Sequence, residues 1–423
     1  MTPTLDNCGD VHTLPDLTPW LRDGDTIMWG QACAEPRTLT RALVAQRSAF
    51  RRLNLLLGID VGGTLQPAHA DHFSFLSYCG AGGNRALAQA GLLDILPSPY
   101  SLLQRDLARR NVRVDVVLLQ VSAPDRDGRY RLGHAYDLLA EALRHARVVI
   151  AEVHPAVPRT RGTCALRREQ IDLLVPAQEA PLEMTPPVPS AIEEQIAHHV
   201  ASLIEDRATL QVGLGGVAEA TLRLLCDRRG LGFHSGIAGD ALVDLVEAGA
   251  LTNAFKRRDT GVSVAGLLMG SRRLSRFADD NPALELRGTQ DTHGAEVLRA
   301  LPRFTAINSA IEVDLTGQAN AEVANSMYLG AVGGAPDFLR AAHASEGGLP
   351  IIALRATAGT RSRIVASLSG PVSTARCDAG VMVTEHGIAD LRGCGLAQRM
   401  RRMIAIAAPE HREELERKAS TLF

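Results

Sequence analysis

Arg207 to Leu224 reads RATLQVGLGGVAEATLRL. An apolar run (TLQV) is followed by a glycine turn and then by apolar residues at helical spacing, so the segment predicts strand, tight turn and helix. In that context the turn Gly213-Leu-Gly-Gly216 can bring backbone N–H groups and a helix N-terminus to a phosphate or another anion. A nicotinamide-binding fold also needs an acidic residue at the end of the next strand. That region reads LGFHSGIAGD from Leu231, with no acid where the strand should stop, which argues against a dinucleotide. The same unit occurs earlier. Gly24 to Ala42 reads GDTIMWGQACAEPRTLTRA, with strand, glycine turn, Ala-Glu pair and helix in the same order. A second pair follows: VLLQVSAPDRDGRYRLG from Val117 to Gly133 and TAINSAIEVDLTGQAN from Thr305 to Asn320 each run from a strand into an Asp-containing, Gly-bearing turn. Matching motifs in matching order point to a duplicated α/β domain, which by symmetry implies a site at the junction of the two copies.

Outside these motifs, Leu53–Ile59, Val114–Val121 and Val148–Val153 are short apolar runs that predict buried strands, as does Thr26–Trp29. Leu39–Arg47, Ser101–Arg110 and Ala135–His145 are amphipathic and predict helices between them. The alternation implies largely parallel sheets covered by helices. Pro176–Pro189, rich in proline, predicts a linker. The expected organisation is therefore an N-terminal α/β domain over residues 1–180 and a related C-terminal one over 190–423.

Composition narrows the function. The chain has 423 residues, 46% hydrophobic and 22% charged, which fits a globular protein of more than one domain. A formal charge of −2 and 4% aromatic residues give neither a basic footprint nor stacking platforms, so nucleic acid is not an expected partner. Seven cysteines without a CxxC pair predict neither a disulfide framework nor a zinc site. His69-Ala-Asp-His72 has metal-like spacing but no further ligand pattern, and Asp125–Gly128 is too short for a calcium loop, so no metal is expected. Met1 to Trp20 carries acids and prolines where a secretion signal needs an apolar run, and no stretch of about eighteen apolar residues occurs. A cytoplasmic protein without membrane association is expected.

A second glycine cluster, Gly330-Ala-Val-Gly-Gly-Ala-Pro-Asp-Phe338, lacks bulky side chains ahead of a helix. It either admits a ligand to backbone N–H groups or packs two elements closely. With VGLGGVAEA (212–220), the stretch from Leu231 to Lys256, INSAIEVDLTGQAN, SRIV (362–365) and VTEHGIADLRG (383–393), it resembles the acetyl-CoA hydrolase/transferase group of the family I CoA-transferases. Looser matches at GQACAEP, LQVSAPDRDG and AEVHP extend the resemblance over nearly the whole chain.

The resemblance implies an enzyme that moves CoA between an acyl-CoA and a small carboxylic acid, as a homodimer or larger oligomer, with CoA as substrate and no tightly bound cofactor. It implies a glutamate nucleophile that passes through an acyl-glutamyl anhydride and a glutamyl-CoA thioester. It also implies CoA contacts at Gly330, Gly333 and Gly334, a polar contact at Asn308, and a further glycine turn at Gly213 and Gly215. The family's nucleophile follows a His-Ser or Tyr-Ser pair. Here the segment is Phe233-His234-Ser235-Gly236, so that position holds no side chain. Three readings follow. Glu35, or after it Glu312, replaces the nucleophile; or His234 or a carboxylate activates water for thioester hydrolysis or transfer to another acceptor; or the protein binds a CoA ester without turning it over. Each residue also has a plain structural role open to it: Glu35 as a helix cap, Glu312 as a satisfied strand-end carboxylate, His234 as part of the ordinary family pattern.

Overall fold

The computed structural model describes residues 13–186 and 188–422. Residues 1–12, on which the reading of the N-terminus partly rests, lie outside it, as do Pro187 in the proline-rich stretch and Phe423. The described residues form two compact units, one within residues 1–185 and 264–292, the other within residues 186–263 and 293–423.

The first unit is built on seven strands: β1 (Thr26–Trp29), β2 (Leu53–Leu57), β3 (Phe73–Ser77), β4 (Leu93–Ile95), β5 (Val116–Val121), β6 (Val148–Val153) and β7 (Leu173–Pro176). They lie in the order β4-β3-β2-β1-β5-β6-β7, all parallel. All six residues of β5, VVLLQV, are buried, as a parallel strand covered on both faces requires. Helices α1 (Arg37–Gln46), α2 (Tyr100–Ala108) and α3 (Leu139–His145) fall where helical spacing predicts them, within a few residues at each end. Ile27, Leu55, Val116, Leu118 and Ile150 are fully buried in one core. Each such side chain contributes about 1.5–3 kcal/mol of transfer free energy. The returning segment 264–292 joins this unit through backbone bonds, Leu286 N–H to Arg161 O at 2.8 Å and Thr289 N–H to Asp137 O at 3.2 Å.

The second unit opens with α4 (Ala191–Ser202), whose Ser190 and Glu193 form a reciprocal capping box. Its sheet contains β8 (Thr209–Val212), β9 (Gly232–Phe233), β10 (Phe304–Asn308), β11 (Leu349–Ala353), β12 (Val381–Thr384) and β13 (Gly387–Asp390), in the order β9-β8-β10-β11-β12-β13. Only the β12–β13 pair is antiparallel. Helix α5 (Gly216–Leu224) follows β8 directly through the glycine turn, and α6 (Ala335–Ala344) follows the second glycine cluster. The chain ends in α7 (Leu396–Ala405) and α8 (Pro409–Ala419). The core of this unit gathers Phe304, Phe338, Leu339, Ile352 and Met382.

His69 sits in a 3-10 turn, Pro67–Asp71, and no cluster of metal-ligating side chains occurs among the described residues. No described helix is long and apolar enough to cross a membrane. Phe304 is fully buried, with its ring centroid 6.3 Å from that of Phe338. Phe304→Ala is expected to cost about 3–5 kcal/mol, read as a lower urea midpoint for the second unit's transition; an unchanged midpoint excludes this core arrangement.

Candidate active site

In each sheet the first strand lies inside the sheet, and the chain leaves it toward one edge before returning to its other side. Loops after neighbouring strands then diverge at the strands' C-terminal ends, where open α/β sheets bind ligands. In the first unit these ends are those of β1 and β5, and the loop after β1 carries Gly30, Gln31 and Glu35.

Glu35 is 4% exposed. Its Oε1 accepts the hydroxyls of Thr64 at 2.6 Å and Thr40 at 2.8 Å. Its Oε2 lies against Gly62 and fills the space a Cβ there would need. Burial raises the Glu35 pKa above the ordinary value; the two hydroxyls act against this, and nearby Asp60 adds to it. Asp60 accepts the N–H groups of Gly62 at 2.9 Å and Gly63 at 3.0 Å through Oδ1. Its buried Oδ2 has no hydrogen-bond partner among the described residues.

Glu35 does not cap α1. The N–H groups of Thr38 and Leu39 donate instead to Oε2 of Glu152, at 2.8 and 3.2 Å, so a carboxylate from β6 holds the helix start. Burial pushes the pKa of Glu152 up to about 7, while the Leu39 and Thr38 amides pull the other way. Next to it, Gln31 organises a buried polar cluster. Its Oε1 accepts Tyr78 Oη at 2.6 Å and the Ile59 N–H at 2.9 Å. Its Nε2 donates to Tyr100 Oη and Asp137 Oδ2, both at 2.5 Å. Burial raises the Asp137 carboxyl to about 6. Periodicity and turn spacing carry no signal for Glu152, Gln31 or Asp137, whose partners lie far along the chain.

In the second unit, Gly213 to Gly216 bend from β8 into α5, with Gly215 at φ +126°. Gly213 donates its N–H to Ile307 O at 2.9 Å. Asn308, at the end of β10, donates to Gln211 Oε1 at 3.0 Å. The structure thus brings Asn308, Gly213 and Gly215 to one cavity. In the second cluster, Gly330 pairs its N–H with Glu322 O at 3.0 Å, and Gly333 adopts φ +61°.

Glu312 has one oxygen, Oε1, that accepts four donors. These are Asn320 Nδ2 at 2.9 Å, Ser369 N–H at 2.7 Å, Ser369 Oγ at 2.9 Å and Gly370 N–H at 3.2 Å. It borders a cavity of about 750 Å³ that also meets Arg361, His411 and Lys418. His234 is fully buried. Ser235, also buried, uses its hydroxyl on the backbone of Val212, accepting from N–H at 3.3 Å and donating to O at 3.1 Å.

Gly236 has an unexpected neighbour. A Cβ placed there meets His293 Cε1 at 2.9 Å and Nε2 at 3.0 Å, and one placed on Gly334 meets Nε2 at 2.6 Å. The imidazole of His293 therefore sits in the space that two glycines leave open, tilted against Phe338 with centroids 4.4 Å apart. Burial pulls its pKa down to about 3, so the ring is neutral at ordinary pH. A lone histidine in DTHGAEV carries no signal that could have placed it there.

The fold and these strand-end loops define an α/β protein of two open, largely parallel sheets with its polar and glycine-rich loops at the strand ends. The particular family follows from direct comparison. The acetyl-CoA hydrolase/transferase N-terminal domain matches residues 10–186 and the C-terminal domain of the same name matches 270–419, and the chain belongs to that family. It is 34% identical over 395 residues to the 4-hydroxybutyrate coenzyme A transferase of Clostridium kluyveri, covering 92% of each chain. It is 25% identical to the acetyl-CoA hydrolase of Kluyveromyces lactis, covering 93% of this chain and 86% of that one. Among solved structures, RipA from Yersinia pestis superposes with a TM-score of 0.91 at 30% identity, covering 95% of both chains. The 4-hydroxybutyrate CoA-transferase of Porphyromonas gingivalis gives 0.81 at 29%, covering 96% of both. The expected fold, family and enzyme class therefore stand.

Two outcomes test this geometry. Folded Glu152 keeps its proton to about pH 7, whereas an ordinary glutamate releases it near 4.5. The folded state binds more protons between those values, so this group's contribution to stability is full below pH 4.5 and is lost as pH rises through 7. Glu152→Gln is expected to flatten the fall in melting temperature between pH 5 and 8 by an amount worth at most about 3 kcal/mol; parallel curves for both proteins contradict the assignment. Gly236→Glu is expected to destabilise by about 1–3 kcal/mol through overpacking. Adding His293→Gly should recover part of the loss, and a coupling energy near zero in the double-mutant cycle shows that the imidazole does not fill that space.

Proposed function

We propose that the chain transfers CoA between an acyl-CoA thioester and a small carboxylic acid, with Glu35 as the carboxylate that replaces the missing side chain at position 236. The observation that carries the reading is the 34% identity with a CoA transferase over 92% of both chains. Glu35 is preferred to Glu312 because only two hydroxyls hold its Oε1, whereas four donors converge on Oε1 of Glu312 and disperse its negative charge further.

In this reading the Glu35 carboxylate attacks the thioester carbonyl, the C–S bond breaks, and CoA thiolate leaves an acyl-glutamyl anhydride. Thiolate then attacks the glutamyl carbonyl and releases the first acid. The acceptor carboxylate displaces thiolate to form a second anhydride, and thiolate attacks the acceptor's carbonyl to give the new CoA ester and free Glu35. Gly330, Gly333, Gly334, Asn308, Gly213 and Gly215 serve the substrates, with Gly333 and Gly334 offering N–H groups to a developing oxyanion.

Hydrolysis is the second reading. The raised pKa of Glu35 favours it as a base toward water, and some relatives are named acetyl-CoA hydrolases.

Incubation with butyryl-CoA and acetate, following free thiol and acetyl-CoA together, separates the two. Exchange without net thiol release, lost at least about a thousandfold in Glu35→Gln and retained in Glu312→Gln, supports transfer through Glu35. Thiol release without a new ester supports hydrolysis, and full exchange in Glu35→Gln removes it as nucleophile. Because ionised Glu35 is the reactive form, kcat/KM is expected to fall on the acid side with an apparent pKa above that of an ordinary glutamate.

A further inference from the structure

At the C-terminal ends of β8 and β10 the second sheet changes direction, since the chain goes outward from β8 to β9 and returns on the far side as β10. The crevice between the diverging loops is a cavity of about 120 Å³, bordered by Gly213–Gly216, Asn308, Arg355 and Arg363. Cavities for drug-sized ligands run to about 300–1,000 Å³. This one takes an acid group with a few carbons and has no room for a nucleotide.

Its charge is unbalanced. Arg355 contacts Glu193 at 3.2 Å and donates to Ser190 Oγ at 3.0 Å. Glu193 is at the same time committed to its helix cap, accepting the Ser190 N–H at 2.8 Å. Arg363 has no ion pair among the described residues, and its buried Nε has no hydrogen-bond partner among them. Burial lowers its pKa, Arg355 lowers it further, and Glu385 acts the other way. Glu385 itself accepts the Ala356 N–H at 2.8 Å. Two guanidinium groups thus border the cavity against the single carboxylate of Glu193. Burying a guanidinium donor without an acceptor is costly. Gly216 begins α5, where helical N–H groups lack intrahelical acceptors.

We infer that this crevice is an oxyanion subsite that takes the carboxylate of a small acid, with Arg363 as its main partner and Arg355 completing the charge. The guanidinium fork matches the two oxygens of a planar carboxylate, a bidentate geometry a lysine cannot reproduce. The choice of carboxylate over phosphate rests on the reading of the chain as a CoA-transferring enzyme; the oxyanion site itself does not.

The test uses the full chain and titrates butyrate and, separately, inorganic phosphate by calorimetry into wild type, Arg363→Gln and Arg363→Lys. Butyrate binding weakened at least tenfold in Arg363→Gln and by a smaller factor in Arg363→Lys supports the proposal, provided both variants melt within a few degrees of wild type. In the exchange assay the KM for the acceptor acid should rise at least tenfold in Arg363→Gln while the KM for acyl-CoA stays within twofold. Butyrate affinity within twofold of wild type in Arg363→Gln overturns the subsite. Phosphate binding tenfold tighter than butyrate, and lost in Arg363→Gln, overturns the ligand class. Loss of butyrate binding in Arg363→Gln, with no exchange by the wild type on any acid, upholds the subsite and sinks the transferase reading instead.

Discussion

Parallel pairing of β1 with both β2 and β5, and of β8 with both β9 and β10, is the constraint on which everything else depends. A strand paired on both edges and covered on both faces must be apolar along its length, which accounts for runs such as VVLLQV. Because a parallel neighbour can be reached only by a crossover, each strand ends in a loop at the same edge of its sheet. The residues with chemistry, Glu35 after β1 and the glycine turn after β8, are at those ends for that reason.

The same burial that stabilises the sheets sets the acid–base character of the groups beside them. Glu35, Asp137 and Glu152 all have raised pKa values, with desolvation the largest cause in each. They differ in what holds them. Glu152 binds two helix N–H groups and so is tied to the start of α1, whereas Glu35 is held by two hydroxyls on one oxygen. The first arrangement positions a helix; the second leaves Oε2 outside the hydroxyl pair, packed in the space beside Gly62.

The region around position 236 shows a compensation rather than a simple loss. Where the family pattern has a side chain, this chain has Gly236, and the imidazole of His293 lies within van der Waals reach of a Cβ built there. Gly334, in the second glycine cluster, borders the same ring. Glycine at these two positions is thus explained by the space His293 occupies, a packing reason that stands beside any role in ligand approach.

Much of this protein was legible in its sequence. Apolar runs at strand length and helices at 3.6-residue spacing located β1, β5, β6 and α1 to α3, because those patterns follow from burial alone. Motif order along the chain identified the family. The lack of a carboxylate at position 236 was equally plain, since it needs only a residue letter. Partners in space were not legible. That Glu152 rather than Glu35 caps α1, that Ser369 and Gly370 converge on Glu312, that His293 lies beside Gly236, and that Arg363 borders a small cavity with Gly213–Gly216 all join residues from tens to more than a hundred positions apart. Sequence spacing encodes local periodicity and turn chemistry, whereas pKa, satisfaction of polar groups and free volume depend on which distant side chains the tertiary fold places within a few ångströms.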